Sequence, residues 1–146
     1  MKVLLAGGAG YIGSHTAVEL TTAGHDVVIM DDYSNSKPEV LNRLKKITGK
    51  DLPFYEVNAC NSEAVDAVFA KEKPDAVIHF AGYKAVGESV AKPLMYYRNN
   101  LDSTLTLLET MAKYGTKNFV FSSSATVYGA PDSVPIREDA VVGRCT

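Results

Sequence analysis

Short apolar runs alternate with segments of helical periodicity along nearly the whole chain. Five of these runs have the length of a buried strand, and they cover residues 2–6, 25–31, 54–57, 76–80 and 119–121. Between them, apolar residues recur every three or four positions, as in helices that pack one face against a core. Strands that alternate with helices in this way predict an α/β fold, a doubly wound parallel sheet with helices on both faces.

Four connecting helices are predicted, and the last is the longest. They cover residues 11–23, residues 36–48, a segment that Ser62 caps and that extends through Phe69, and residues 93–114. Pro93 suits the first turn of the last helix, and Gly115 suits a left-handed cap after it. This helix carries one apolar stripe at a spacing of three or four, formed by Leu94, Tyr97, Leu101, Leu105, Leu108 and Ala112.

The first predicted strand runs directly into a glycine-rich turn. Gly8, Gly10 and Gly13 fit the pattern G-x-G-x-x-G, and Gly7, Gly10 and Gly13 fit G-x-x-G-x-x-G. After a strand and before a helix, such glycines permit a tight turn, close approach to a pyrophosphate and close packing of the helix. The helix then directs its free N–H groups at the phosphates. The pattern therefore predicts a dinucleotide-binding site.

The second predicted strand ends in an acidic residue. Asp31 lies 18 residues beyond Gly13, near the offset of about 20 at which an acid binds the adenosine ribose. Its carboxylate would repel the additional phosphate of NADP, Asp32 adds to that charge, and no arginine follows before Arg43. The sequence thus predicts NAD rather than NADP. The alternative is a glycine turn followed by an ordinary surface aspartate.

Composition narrows the class of protein. A chain of 146 residues with 46% hydrophobic and 22% charged residues is expected to fold as one domain, residues 1–146. With a net charge of −2 and no basic run, nothing predicts binding to nucleic acid or to an anionic membrane. No apolar stretch is long enough to span a bilayer, and no signal peptide is expected. Cys60 and Cys145 lie far apart without metal-ligand spacing, so we expect a reduced, cytoplasmic protein without a metal site.

Three stretches resemble the extended short-chain dehydrogenase/reductase family: residues 7–15, 79–89 and 121–129. The second, through Lys84 to Ser89, is more similar to the nucleotide-sugar epimerases of that family than to its dehydratases or decarboxylases. The resemblance implies a Rossmann fold and a cofactor site for NAD, although many members carry aspartate where Asn58 stands. We call the implied set the predicted cofactor residues: Gly7, Gly10, Tyr11, Ile12, Gly13, Asp31, Asn35, Ser36, Asn58, Ala59, Phe80, Ala81, Gly82, Lys84, Asn99 and Ser122.

The resemblance also implies what these residues do. The start of the first helix lies beside the pyrophosphate, Asp31 and its neighbours hold the adenosine ribose, and Lys84 lies near the nicotinamide ribose. Ser124 is the implied catalytic residue, which hydrogen-bonds the reacting sugar hydroxyl. Simpler roles are open for several residues: Asn99 as a solvent-facing helix residue, Lys84 as a solvated loop lysine, and the serines as polar residues at a strand end. His15 and His79 have no carboxylate or metal partner at a suitable spacing, so we expect both to be structural.

The family's general base is absent from the expected place. That base is a tyrosine followed four residues later by a lysine, on the helix after the serine-ending strand. Only Tyr33 with Lys37 has this spacing, and it follows the second strand, at the adenosine end. Tyr128 lies after the serines, and the residue four positions beyond it is Asp132 rather than a lysine. We therefore expect an incomplete Rossmann domain that lacks the last strands, the catalytic Tyr and Lys, and the C-terminal substrate domain.

The function implied by the resemblance belongs to the whole protein. It is the interconversion of UDP-galactose and UDP-glucose through a 4-keto intermediate, with transient hydride transfer to NAD. The 146-residue chain alone is expected to be inactive, and the full-length protein is expected to be a homodimer that binds a UDP-hexose. Two alternatives stay open: another nucleotide-sugar enzyme of the family, such as a 4,6-dehydratase or decarboxylase, and a non-catalytic module that binds NAD.

Overall fold

The computed structural model describes residues 1–130 and 133–143 of the chain, so Cys145 lies outside the described residues. Within these residues five parallel strands form one sheet in the order β3-β2-β1-β4-β5. The strands are β1 (Lys2–Ala6), β2 (Asp26–Asp31), β3 (Phe54–Glu56), β4 (Ala76–His79) and β5 (Asn118–Phe121). All five predicted strands are present, with boundaries that differ by at most one residue.

The described helices include the four predicted connections and two shorter turns. They are α1 (Tyr11–Thr22), α2 (Glu39–Thr48), α3 (Ser62–Glu72), α4 (Val86–Ala91), α5 (Pro93–Tyr114) and a 3₁₀ turn (Ala125–Tyr128). The sequence did not predict α4 or the 3₁₀ turn, because segments this short show no repeating apolar pattern. None of the described helices combines the length and apolar character needed to cross a membrane.

The two faces of the sheet bury alternate residues of the strands, as the pleat of a strand requires. Leu4 and Ala6 face α3 and α5, where Phe69 is fully buried. Val3 and Leu5 face the opposite core, which α1 and α2 cover. Helices therefore lie on both faces of a parallel sheet, which confirms the predicted doubly wound α/β fold.

The apolar stripe of α5 faces outward rather than toward the sheet. Leu101 and Leu105 are 56% and 55% exposed, whereas Ser103 and Leu107 on the other side of the helix are buried. Small and hydroxyl-bearing residues suit the buried side because they let the helix lie close to the sheet. Thr110 Oγ1 donates to the carbonyl oxygen of Thr106 at 2.8 Å, and Ser103 Oγ pairs with Nε2 of His79 at 3.3 Å. Periodicity located the helix, but apolar character alone does not identify its buried face.

The N-terminus of α3 is capped by Asn61. Its side-chain oxygen accepts a hydrogen bond from the backbone N–H of Ala64 at 3.1 Å. Ser62 is the first helical residue, so the prediction that Ser62 is the cap was wrong by one position. Both residue types are good caps, and sequence preference alone does not choose between neighbours.

We predict that Asn61→Ala lowers the free energy of unfolding by about 1 kcal/mol, because the Ala64 N–H loses its side-chain acceptor. Ser62→Ala is the matched control and is expected to change stability by less than about 0.5 kcal/mol. Urea unfolding followed by circular dichroism measures both values. Equal losses in the two variants would contradict the assignment of the cap.

Candidate functional site

A cavity of about 650 Å³ opens at the carboxyl ends of the strands. The chain leaves β1 for β2 and β3 on one side, and later returns to β4 and β5 on the other. Loops that follow β1 and β4 therefore diverge, and the crevice between them is where ligands bind in sheets of this topology. The volume lies within the range of roughly 300–1,000 Å³ that is usual for small-molecule sites.

Every predicted cofactor residue lines this cavity. The structure therefore brings together six segments that are distant in sequence, although their individual roles remain predictions. Asp32, predicted to add to the charge that disfavours NADP, also lines the cavity, and so do residues that the sequence did not indicate: Met30, Ser34, Val57, Tyr83, Ala85, Glu88, Met95 and Tyr96.

The glycine-rich turn packs too closely to accept side chains. Gly7 has a φ of +79°, and a Cβ on it would lie 2.7 Å from the backbone nitrogen of Ala81. A Cβ on Gly13 would lie 2.5 Å from the carbonyl oxygen of Gly7. The start of α1 therefore sits directly on the turn. Its N-cap, Gly10, offers no side-chain acceptor, so the first amides of the helix suit an anionic group such as a pyrophosphate.

Asp31 holds two loops of the cavity together. Its carboxylate is 8% exposed and accepts hydrogen bonds from the backbone N–H of Ala9 at 3.0 Å, the N–H of Tyr33 at 2.9 Å and the hydroxyl of Ser36 at 2.7 Å. Ala9 belongs to the glycine-rich turn, and the other two belong to the loop after β2. The residue predicted to bind the ribose thus also orders the protein around that site.

Lys84 and Asn99 shape the opposite end of the cavity. The ammonium group of Lys84 donates to the carbonyl oxygen of Ser122 at 2.8 Å and to its hydroxyl at 3.1 Å, which ties the loop after β4 to the end of β5. Asn99 donates through Nδ2 to the carbonyl oxygen of Ala81 at 3.3 Å. Asn99 is therefore turned toward the cavity, which excludes the alternative that it is a solvent-facing helix residue.

Asn100 fixes the same loop, and the sequence analysis did not identify it. Its Oδ1 accepts from the N–H of Tyr83 at 2.7 Å, and its Nδ2 donates to the carbonyl oxygen of Tyr83 at 3.1 Å. The available signal was a pair of asparagines within a helix, where this residue type is disfavoured. Both side chains replace a backbone partner that the loop after β4 lacks.

The described side chains fit a dinucleotide in their chemistry. The cavity is lined by the uncapped start of α1, by the carboxylates of Asp31 and Asp32 at the end of β2, and by the ammonium group of Lys84 after β4. The family described as NAD dependent epimerase/dehydratase matches the chain over residues 3–145. The chain belongs to this family. NAD, the cofactor predicted from the sequence, is the cofactor by which the family is named.

Curated proteins with sequences similar to this chain are named UDP-glucose 4-epimerase. UDP-glucose 4-epimerase of Bacillus subtilis is 62% identical over 98% of this chain, which is 42% of that protein. UDP-glucose 4-epimerase 2 of Arabidopsis thaliana is 54% identical over 97% of this chain and 41% of its own length. The chain thus spans about two fifths of the length of the curated relatives it matches.

Solved structures of the epimerase family contain the same fold. The structure of UDP-glucose 4-epimerase from Bifidobacterium longum in complex with NAD+ and UDP superposes with a TM-score of 0.93 and 51% identity, over 98% of this chain and 43% of that chain. The enzyme from Stenotrophomonas maltophila with bound NAD superposes with a TM-score of 0.92 and 44% identity, with the same coverage. The described residues therefore correspond to part of the fold of these enzymes.

Ser124, the predicted catalytic residue, is not among the residues that line the cavity. It is the N-cap of the 3₁₀ turn, and its Oγ accepts from the N–H of Thr126 at 3.3 Å. Its hydroxyl also pairs with the hydroxyl of Thr126 at 2.7 Å. The structure places this side chain beyond the end of β5 and assigns it a local structural contact. Its catalytic role remains a prediction.

His79 is buried below the loop after β4 and is 2% exposed. The N–H of Ala81 donates to Nδ1 at 3.3 Å, so the ring proton lies on Nε2, which reaches the hydroxyl of Thr104 at 3.1 Å. Burial, together with the positive charge of Lys84, lowers the pKa of His79 to about 4. The described residues contain no cluster of His, Cys, Asp or Glu suited to a metal ion, and this neutral imidazole instead joins the loop to α5.

We predict that His79 makes stability fall as the pH drops from about 6.5 to about 4. A histidine whose pKa is depressed on folding binds fewer protons in the folded state, so its contribution is complete above the unfolded pKa of about 6.5 and is lost below it. The depression to about 4 corresponds to roughly 3 kcal/mol. Urea unfolding of the wild type and of His79→Gln, at several pH values, measures the difference.

His15→Gln is the control for this experiment, because His15 lies exposed on α1. It is expected to keep the pH dependence of the wild type, whereas His79→Gln is expected to have a weaker one. If His79→Gln showed the full wild-type dependence, the burial of a neutral imidazole would not be its cause.

Proposed function

We propose that residues 1–146 form the NAD-binding Rossmann domain of an enzyme that interconverts UDP-galactose and UDP-glucose. One observation carries the proposal: residues predicted from six distant segments line a single cavity at the strand ends, in a chain 52–62% identical to proteins named UDP-glucose 4-epimerase. Those proteins are longer than this chain, so the activity proposed is that of the whole protein.

Within the domain, each end of the cavity has a proposed task. The free amides at the start of α1 bind the pyrophosphate, and the loop that Asp31 orders holds the adenosine ribose. Lys84, fixed on Ser122, places a positive charge beside the nicotinamide end. NAD, when bound, supplies a hydride acceptor for the sugar carbon. Ser124 orients the sugar 4-hydroxyl. To do so, the hydroxyl of Ser124 must leave the hydroxyl of Thr126 and bond to the substrate instead.

We propose that the general base lies in sequence beyond this chain. The pair with the required spacing, Tyr33 and Lys37, is unsuited to the task. Burial is the main cause that raises the pKa of the Tyr33 hydroxyl, and the negative charges of Glu56 and Asp31 raise this pKa further. A base that acts as tyrosinate needs a lowered pKa instead. Its ring is also stacked on Phe54 at 4.9 Å, on the adenosine side of the site. The 146-residue chain by itself is therefore proposed to be inactive.

A cytoplasmic location and a homodimeric full-length protein complete the proposal. The location is supported by the two widely separated cysteines. The dimer is supported by the apolar stripe of α5, whose large side chains are all exposed: Leu94, Tyr97, Leu101, Leu105 and Leu108. A contiguous apolar face of this kind is unusual on a monomer and is typical of an interface.

The function is tested by a product assay on the full-length protein. We expect UDP-galactose to be converted to UDP-glucose with no net reduction of NAD, and we expect no turnover by the 146-residue chain. A 4-keto-6-deoxy sugar formed from the same substrate would instead identify a dehydratase, and carbon dioxide released from a UDP-hexuronate would identify a decarboxylase. Binding of NAD by the full-length protein without turnover of any of these substrates would favour the non-catalytic module.

The dimer is tested on the same full-length protein by sedimentation equilibrium. We predict that Leu101→Glu combined with Leu105→Glu shifts the protein from dimer to monomer, because two charges would be buried in an apolar contact. Ile47→Glu is the matched control, since Ile47 is 68% exposed on α2, away from the stripe. A variant of the stripe that remains fully dimeric would contradict this interface.

A further inference from the structure

Asp32 and Asn58 bridge the carboxyl ends of β2 and β3. Nδ2 of Asn58 donates to Oδ2 of Asp32 at 2.6 Å. The bridge continues the strand pairing, in which the N–H of Val57 donates to the carbonyl oxygen of Asp31 at 3.1 Å. Both side chains line the cavity, so this contact forms part of the wall beside the adenosine end.

Each side chain of the bridge is held in place by its own backbone donor. Oδ1 of Asp32 accepts from the N–H of Ser34 at 2.9 Å, and Oδ1 of Asn58 accepts from the N–H of Cys60 at 2.8 Å. An oxygen is thus required on the outer side of both residues. The remaining atoms, Oδ2 of Asp32 and Nδ2 of Asn58, are left facing each other.

This geometry restricts which residue types the two positions accept. Of the two facing atoms, one must be an acceptor and the other must carry a proton. Two carboxylates would place two negatively charged oxygens in contact, and two amides would place two N–H donors in contact. One carboxylate and one amide satisfy every partner, and they do so in either order, because each type supplies the outer oxygen.

We propose that Asp32 and Asn58 are a matched pair of positioning residues. The cofactor site requires that one member of the pair is a carboxylate and the other is an amide. The pair holds the loop after β2, with Asn35 and Ser36, against the loop after β3. The part of the proposal that concerns NAD affinity rests on the proposed function of the cavity. The part that concerns the fit of the pair does not.

The experiment compares three variants of the full-length protein: Asn58→Asp, Asp32→Asn, and the exchange of both. Calorimetric titration with NAD is expected to show a dissociation constant about tenfold higher for Asn58→Asp and about threefold higher for Asp32→Asn. The double exchange is expected to return to within about twofold of the wild type. Its net charge equals that of the wild type, so the rescue tests pairing rather than charge.

Asp32→Asn separates this proposal from a simple charge effect. NAD is anionic, so loss of a negative charge alone would tighten binding, whereas loss of the pairing weakens it. Tighter binding by Asp32→Asn, or no rescue by the double exchange, would overturn the proposal.

Thermal unfolding without NAD is an independent measurement of the pairing. Asn58→Asp is expected to melt about 2–4 °C lower than the wild type, and the double exchange is expected to recover the melting temperature. If the wild type failed to bind NAD, the proposed function would fall, and the melting temperatures would still decide whether the pair is matched.

Discussion

The buried carboxylate of Asp31 is the contact on which the arrangement of the site depends. It joins the glycine-rich turn to the loop after β2 through donors on Ala9, Tyr33 and Ser36. The glycine-rich turn is also joined to the end of β2 through the N–H groups of Gly7 and Gly8, which donate to the carbonyl oxygen of Met30 at 2.8 and 3.4 Å. Because a buried charge is costly unless several donors satisfy it, the carboxylate of Asp31 fixes both loops in one arrangement.

The opposite half of the cavity is built by a different device. Here side chains of α5 replace missing backbone partners, with Asn99 on Ala81 and Asn100 on Tyr83, and Lys84 connects this loop to β5. His79 supports the loop from below as a neutral ring. The two halves meet at the point where the order of the strands reverses, so the topology of the sheet creates the cavity and polar side chains give it a shape.

Much of this could be predicted from the sequence, for identifiable reasons. The strands, the long helix and the glycine-rich turn depend on local patterns, and the predicted cofactor residues follow from those patterns and from the family resemblance. The features that were missed depend on tertiary contacts. The stripe of α5 has a helical period but faces outward, the cap of α3 is Asn61 rather than its neighbour, and the pairing of Asp32 with Asn58 requires two strand ends to be adjacent.

The central claim is that the described residues make a working NAD site that discriminates against NADP. The most direct measurement is calorimetric titration of the 146-residue chain, first with NAD and then with NADP, with its folding checked by circular dichroism. We expect binding of NAD and much weaker binding of NADP, because the carboxylates of Asp31 and Asp32 line the end of the cavity that we propose holds the adenosine. Equal affinity for the two dinucleotides, or no binding of NAD by the folded chain, would contradict it.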